Sequence, residues 1–224
     1  MKLYIGYDPA EDRAYRAAVS SLEKHSILSH ERLSEDRLRS SGLLTRVVDK
    51  RGQMYDLPSN APCSTEFATS RFMVPLLCQS GWAMFVDCDI VFLSDPTSIM
   101  SHADKNKAVI VVQHNHIGRG KKMVGMAQTA YPRKNWSSVM LFNCDHPANQ
   151  RLSLRDINER PGRDLHAFYW LHNDEIGSLP VEWNWLVNVT EKPLHPKIAH
   201  FTNGGPWLDG WESAPNDNLW EQYA

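Results

Sequence analysis

Short apolar runs alternate with polar stretches of helical period along most of the chain. Lys2 to Gly6 (KLYIG) is apolar, β-prone and closed by glycine, and it predicts a first strand. Asp8-Pro9 is a turn and helix-start signal. Glu11 to His25 then sets Ala14, Ala18, Val19 and Leu22 on one side at helical spacing. A strand, a polar turn and a helix in this order suggest an α/β nucleotide-binding start. Residues 26–61 are polar and undecided, with apolar pieces at Leu43-Leu44 and Val47-Val48 and a Pro/Ser/Asn loop from Leu57 to Pro62. Ser64-Thr65-Glu66 predicts a helix start, with the helix running to Gly81 and kinked by Pro75 inside it.

Trp82 to Leu93 (WAMFVDCDIVFL) is a nearly continuous apolar run, which predicts one central strand covered on both faces. Two acids interrupt it. Ala108 to Val112 and Ser137 to Phe142, the latter closed by Asn143, predict two further strands. Residues 148–175 are polar with helical potential, and Pro180 to Trp185 and Lys197 to Phe201 are short strand-like pieces. With no repeat, low-complexity tract or long linker, the simplest organisation is one α/β domain over residues 1–224, its mixed, mostly parallel sheet flanked by helices.

Composition narrows the function classes. Of 224 residues, 42% are hydrophobic and 22% charged, ordinary for a globular protein, and the net charge of -2 offers no field for nucleic acid or membranes. The densest basic run, Arg119 to Lys122, is short and reads as a solvated loop. The apolar start is too brief for a signal peptide, and no run reaches the roughly 20 residues of a membrane span. Cys63, Cys78, Cys88 and Cys144 form no CxxC pair and read as buried thiols of a cytoplasmic protein. The sequons at Asn135 and Asn188 then read as chance matches. Trp183, Trp185, Trp207, Trp211 and Trp220 crowd the last 42 residues, where aromatic faces serve either core packing or sugar stacking.

Asp87 and Asp89 carry the sharpest chemistry. Two residues apart on a strand, their side chains point to one face and Cys88 to the other. Burying ionised groups is very unfavourable unless they are paired. Two like charges about 4 Å apart repel by about 4 kcal/mol at an effective dielectric of about 20. A divalent cation removes the conflict; carboxylate oxygens suit Mg²⁺ or Mn²⁺, and such an ion would hold substrate phosphates. The plainer alternative is that the strand ends here and both acids are solvated or cap Ser94. His114 and His116 similarly read either as metal ligands or as incidental loop histidines. No nucleophile elbow or P-loop is present.

The run FVDCDIVFLSDP resembles the D-x-D segment of the family 8 glycosyltransferases, the retaining, GT-A-fold group that includes glycogenin and bacterial lipooligosaccharide galactosyltransferases. Four other landmarks agree in chain order. IGYDPAEDRAY with Ser20-Ser21-Leu22 is similar to the family's first strand, nucleotide loop and helix. Arg71 stands where the family carries a donor-contacting arginine. SSVMLFN resembles its N-[SA]-G-V strand, and AHFTNGGPW its C-terminal H-[FY]-x-G-x-x-K-P-W motif.

The resemblance implies a Mn²⁺- or Mg²⁺-dependent transfer of a hexosyl group from a UDP-sugar to a saccharide or glycoconjugate acceptor. Asp87, Asp89 and His200 would hold the metal, and the imidazole tilts the choice toward Mn²⁺. Tyr7 and Asp8 would lie against base and ribose, Arg71 near the sugar or the acid cluster, Ser137 against the donor sugar, and Cys88 within the donor-binding D-x-D. Asp174 and Glu175 stand where the family has an acidic residue near the reacting centre. The family's diphosphate-binding lysine is replaced by Gly205 in a motif one residue shorter. Backbone N–H groups of Gly204 and Gly205 would then face phosphate, with Lys121, Lys122 or Lys134 supplying charge. Two rival readings are a haloacid-dehalogenase-type phosphatase, for which Asp87-Cys88-Asp89-Ile90-Val91 fits the first motif, and a catalytically degenerate sugar-nucleotide-binding module.

Overall fold

The computed structural model describes residues 1–115, 121–122, 126–127 and 133–224. Its strands in chain order are β1 (Lys2–Tyr7), β2 (His30–Ser34), β3 (Val48–Asp49), β4 (Tyr55–Asp56), β5 (Ala61–Pro62), β6 (Trp82–Val86), β7 (Ile90–Phe92), β8 (Val109–Val111), β9 (Lys121–Lys122), β10 (Met126–Ala127), β11 (Val139–Asn143), β12 (Ile176–Ser178), β13 (Trp185–Leu186) and β14 (Ile198–His200). The helices are α1 (Asp12–His25), α2 (Glu35–Ser40), α3 (Val74–Cys78), α4 (Leu154–Glu159), α5 (Gly162–His166) and α6 (Asn218–Glu221).

Six strands form the main sheet in the order β12-β8-β11-β6-β1-β2. β1 runs parallel to β2 and β6, and β12 parallel to β8, while β11 is antiparallel to both its neighbours. The architecture is therefore the mixed, mostly parallel α/β sheet expected from the sequence. β6 and β11 are buried along almost their whole length, which is why they read as apolar runs and not as alternating ones. Ala14, Ala17, Ala18, Ser21 and Leu22 form the buried side of α1. Small residues there let the helix lie close to the sheet, and the Ser21 hydroxyl accepts the Phe92 N–H at 3.0 Å, tying α1 to β7.

Three expectations are corrected. Trp82 to Leu93 is two strands: β6 belongs to the main sheet, whereas β7 pairs with β14 in a three-stranded sheet ordered β13-β14-β7. Asp87, Cys88 and Asp89 form the bend between them. The main-sheet ladder ends where Val86 faces Val139, and beyond it the Asp87 N–H turns to the Ser138 carbonyl at 2.9 Å. Secondly, the helix predicted from Ser64 to Gly81 is a 3-10 turn, Ser70–Met73, followed by α3. Pro75 opens α3 and does not kink a longer helix, because the first turn is where a missing N–H costs nothing. Thirdly, Pro180 to Trp185 is mainly a 3-10 turn, Val181–Asn184, before the short β13.

The undecided stretch 26–61 supplies β2, α2 and the antiparallel miniature sheet β3-β4-β5. That sheet is pinned by a buried ion pair, whose partners Arg46 and Asp56 are 2% and 5% exposed. Arg46 Nε donates to Asp56 Oδ1 at 2.7 Å, and its Nη1 donates to the Ile157 carbonyl at 2.8 Å. Ser59 donates to Asp56 and accepts the Gly162 N–H at 2.7 Å, joining the sheet to α5. Among the described residues no helix is long and apolar enough to cross a membrane. Removing one partner of a buried pair strands the other charge, at a cost of about 3–5 kcal/mol. Arg46→Ala should lower the urea unfolding free energy by that amount; a loss under about 1 kcal/mol would show that Asp56 finds solvent or another partner.

Candidate metal and donor site

Sheet register assembles the site. In the β14–β7 pair His200 lies opposite Ile90, the residue after Asp89, and the Phe201 N–H donates to the Asp89 carbonyl at 2.8 Å. The register brings the imidazole to the bend that carries both acids. One ligand atom from each of Asp87, Asp89 and His200 falls within 4.8 Å of the others, and all three residues are buried. The carboxylates converge through the bend and not through the strand alternation expected from the sequence. His200 is 0% exposed, and its Nε2 lies 3.4 Å from Asp89 Oδ1 without a hydrogen-bond partner. Two carboxylates and an imidazole with an unpartnered ring nitrogen fit a divalent cation.

Arg71 closes one side. Its guanidinium pairs with Asp87 Oδ1 at 2.7 Å, donates to the Ser137 carbonyl at 3.0 Å and sits 5.2 Å from the ring centres of both Phe67 and Phe85. Beyond it opens a cavity of about 290 Å³, whose walls include Arg71, Asp87, Lys134, Ser137, His166 and Thr202. The miniature sheet forms the facing wall through Asp56 and the Asn60–Cys63 segment. Ser137 Oγ and His166 Nδ1 are hydrogen-bonded at 2.7 Å. Burial pushes the Cys63 thiol up to about 11, the nearby Asp56 charge adding to it, so it stays protonated at neutral pH.

Other expected donor residues take different positions. The Cys88 side chain turns into the core, 0% exposed, where its thiol donates to Glu11 Oε2 at 3.1 Å. Burial and the Glu11 carboxylate push that thiol well above the ordinary range. Its side chain is thus no donor contact, because the bend at Asp87–Asp89 sends the middle residue inward. Both Asp8 oxygens accept backbone N–H groups, Oδ1 from Ala10 at 2.9 Å and Oδ2 from Glu66 at 3.0 Å. Asp8 therefore fastens the end of β1 to the cavity-wall segment. The Tyr7 hydroxyl donates to Asp12 at 3.1 Å, and Arg32 lies over its ring. Gly204 has a φ of +100° and Gly205 is packed under Trp207. The tryptophans Trp207, Trp185 and Trp220 build a second core with Phe201. His116 lies outside the described residues; His114 offers its carbonyl to the Trp136 indole N–H at 2.9 Å.

Asp174 and Glu175 are the clearest correction. They precede β12, at its start, whereas Asp87 follows the end of β6. β12 stands three strands from β6, about 14 Å across the sheet. The Glu175 carbonyl accepts the Ala108 N–H at 2.8 Å, and the Asp174 carbonyl accepts from Lys107 Nζ at 2.6 Å. Partial burial raises the Glu175 carboxyl, but the His172 N–H and Arg151 outweigh it and hold it below its ordinary value. Neither acid lines the cavity.

Sequence reasoning missed Glu11, His166 and Asn184. Asn184 is 0% exposed and accepts from His200 Nδ1 at 2.9 Å. Its only sequence signal was a polar residue between two tryptophans, Trp183 and Trp185.

Solved structures resemble this arrangement over nearly the whole chain. The glycosyltransferase GlyE of Streptococcus pneumoniae TIGR4 superposes with a TM-score of 0.62 at 14% identity, covering 99% of this chain and 59% of that one. The galactosyltransferase LgtC, solved with donor and acceptor sugar analogs, gives 0.60 at 14% identity, covering 100% and 95%. Mouse xyloside xylosyltransferase 1 gives 0.52 at 11%, covering 92% and 99%. The chain thus spans just under three-fifths of GlyE, and at these identities the likeness establishes the fold, that of the GT-A glycosyltransferases. No family model matches the sequence. The chain belongs to the family of Protein CDI from Arabidopsis thaliana: the two are 42% identical over 228 residues, 98% of this chain and 84% of the plant protein.

The packing at Gly205 explains why no lysine stands there. A Cβ at that position would meet the Trp207 ring at 2.3 Å. Gly205→Ala should therefore cost about 1–3 kcal/mol in urea unfolding. Unchanged stability of the alanine variant would mean that the Trp207 ring moves aside freely.

Proposed function

We propose that this chain is a retaining glycosyltransferase of the family 8 type. It moves a hexosyl group from a nucleotide-sugar, a UDP-sugar by resemblance, to a hydroxyl of a saccharide or glycoconjugate acceptor. The observation that carries the reading is the convergence of Asp87, Asp89 and His200 beside a cavity at the end of β6. The GT-A fold supports it, and residues 1–224 act as one catalytic unit in this reading. Asp87, Asp89 and His200 would hold a Mn²⁺ or Mg²⁺, which would supply positive charge against the leaving diphosphate.

The chain's own residues do the positioning. Arg71 holds Asp87 in place through its ion pair and brings the Ser137 carbonyl to the same side chain. Ser137 and His166 form a hydrogen-bonded wall that would face the donor sugar. Lys134, 9% exposed and in the cavity wall, is our candidate for the positive charge that the family draws from its C-terminal lysine. The described cavity carboxylates are Asp56 and Asp87, each tied to an arginine, and residues 116–120, 123–125 and 128–132 contain no acid. This supports retention by same-face attack over a covalent carboxylate intermediate.

Calorimetry with UDP tests the metal bridge. Binding should be at least about tenfold tighter with Mn²⁺ than with EDTA, and Asp87→Asn, Asp89→Asn and His200→Ala should each abolish most of that difference. Equal affinity with and without metal would sink the reading. A screen of nucleotide-sugars for Mn²⁺-dependent hydrolysis then separates an active transferase from a module that only binds. On this reading Lys134→Met should weaken UDP affinity roughly tenfold, a loss of about 1.4 kcal/mol; unchanged affinity would remove Lys134 from the diphosphate.

A further inference from the structure

The buried amide of Asn184 bears on the metal site from behind. Its Nδ2 donates to the backbone carbonyl of Asn135 at 3.1 Å. A backbone carbonyl only accepts, so the NH₂ end of the amide must face it. The Oδ1 end then faces His200 Nδ1, 2.9 Å away, and a carbonyl oxygen only accepts as well. The proton of a neutral His200 ring therefore sits on Nδ1. Nε2, the nitrogen aimed at Asp89 Oδ1 from 3.4 Å, is left with its lone pair. A bare imidazole nitrogen facing a carboxylate oxygen is an arrangement that a cation between them would satisfy.

We infer that Asn184 is a positioning residue that locks His200 in the metal-binding tautomer; this rests on the reading of Asp87, Asp89 and His200 as a metal site. Burial makes the lock one-sided. Asn184 and His200 are both 0% exposed, so no bulk water is at hand to accept the Nδ1 proton in place of the amide. The same amide ties the ligand to the segment that carries Lys134. Asn135, in left-handed backbone with a φ of +64°, offers its carbonyl to Asn184 and accepts from Thr202 at 3.4 Å through its side chain. Asn184 and Thr202, the latter two positions after His200, thus both donate to Asn135, the residue after Lys134.

The metal-free protein tests this directly. Nitrogen-15 NMR of the histidine-labelled chain at about pH 8, where a reference imidazole is neutral, should give His200 a protonated Nδ1 and a bare Nε2. A protonated Nε2 in the wild-type spectrum would overturn the inference without any variant. Electron paramagnetic resonance titration of Mn²⁺, without nucleotide, should show Asn184→Ala binding about 10–100-fold more weakly. Asn184→Asp, which keeps an acceptor for Nδ1–H, should bind at least as tightly as wild type. Wild-type affinity in Asn184→Ala would overturn the role of Asn184 alone. A wild-type protein that takes up no Mn²⁺ would instead overturn the metal reading, so the two failures are distinguishable.

Discussion

Two carboxylates held a few ångströms apart under the surface of a protein repel each other, and each has lost the water that would stabilise it. Asp87 and Asp89, both 4% exposed, impose this constraint on the rest of the molecule. Part of the answer is built in, since Arg71 pairs with Asp87 from between two phenylalanine rings, whereas the bare Nε2 of His200 facing Asp89 adds to the demand. The remainder is what a divalent ion would supply. Neighbouring features follow from meeting this demand, from the bend that leaves the main sheet at Asp87 to the second sheet that delivers the histidine.

The second sheet shows how the demand shapes the fold. Continuing the main-sheet ladder through Asp89 would have kept both acids on one face of a single strand, but without the β7–β14 pairing that brings His200 to them. Leaving the ladder at Val86 lets β7 take β14 as a partner, and a backbone bond from Phe201 to Asp89 sets the register. Cys88 is turned inward by the same bend, against the buried Glu11. A polar core contact therefore sits directly beneath the acid pair, and the position between the aspartates has a packing reason for its small side chain.

The C-terminal turn shows one site solved differently from the resemblance that pointed to it. Gly205 lies against Trp207 in a core that also holds Trp185 and Trp220, and that packing leaves no room for a longer side chain. The crowd of tryptophans near the C-terminus thus serves this core in the case of these three residues, not the cavity. Positive charge lines the cavity from another part of the chain, through the buried Arg71 and Lys134.

Much of the fold was legible in the chain itself, because hydrophobic period and turn chemistry act locally. β1, α1, β8, β11 and β14 lie where apolar runs and helical spacing put them, and the acid pair stood out as two charges in an apolar run. The boundaries that failed were those where local signals are silent about partners. An unbroken apolar run does not say that its halves pair with different strands, and Pro75 does not say whether it opens a helix or bends one. Asp174 and Glu175 look like site acids in sequence, yet strand order carries them to the far edge and opposite end of the sheet. Asn184 and His166 carried no usable signal, since their roles exist only through contacts with residues 16 and 29 positions away. Charge, period and residue type are properties of the chain alone. Which buried groups face one another is decided by sheet register, and only the tertiary structure determines that.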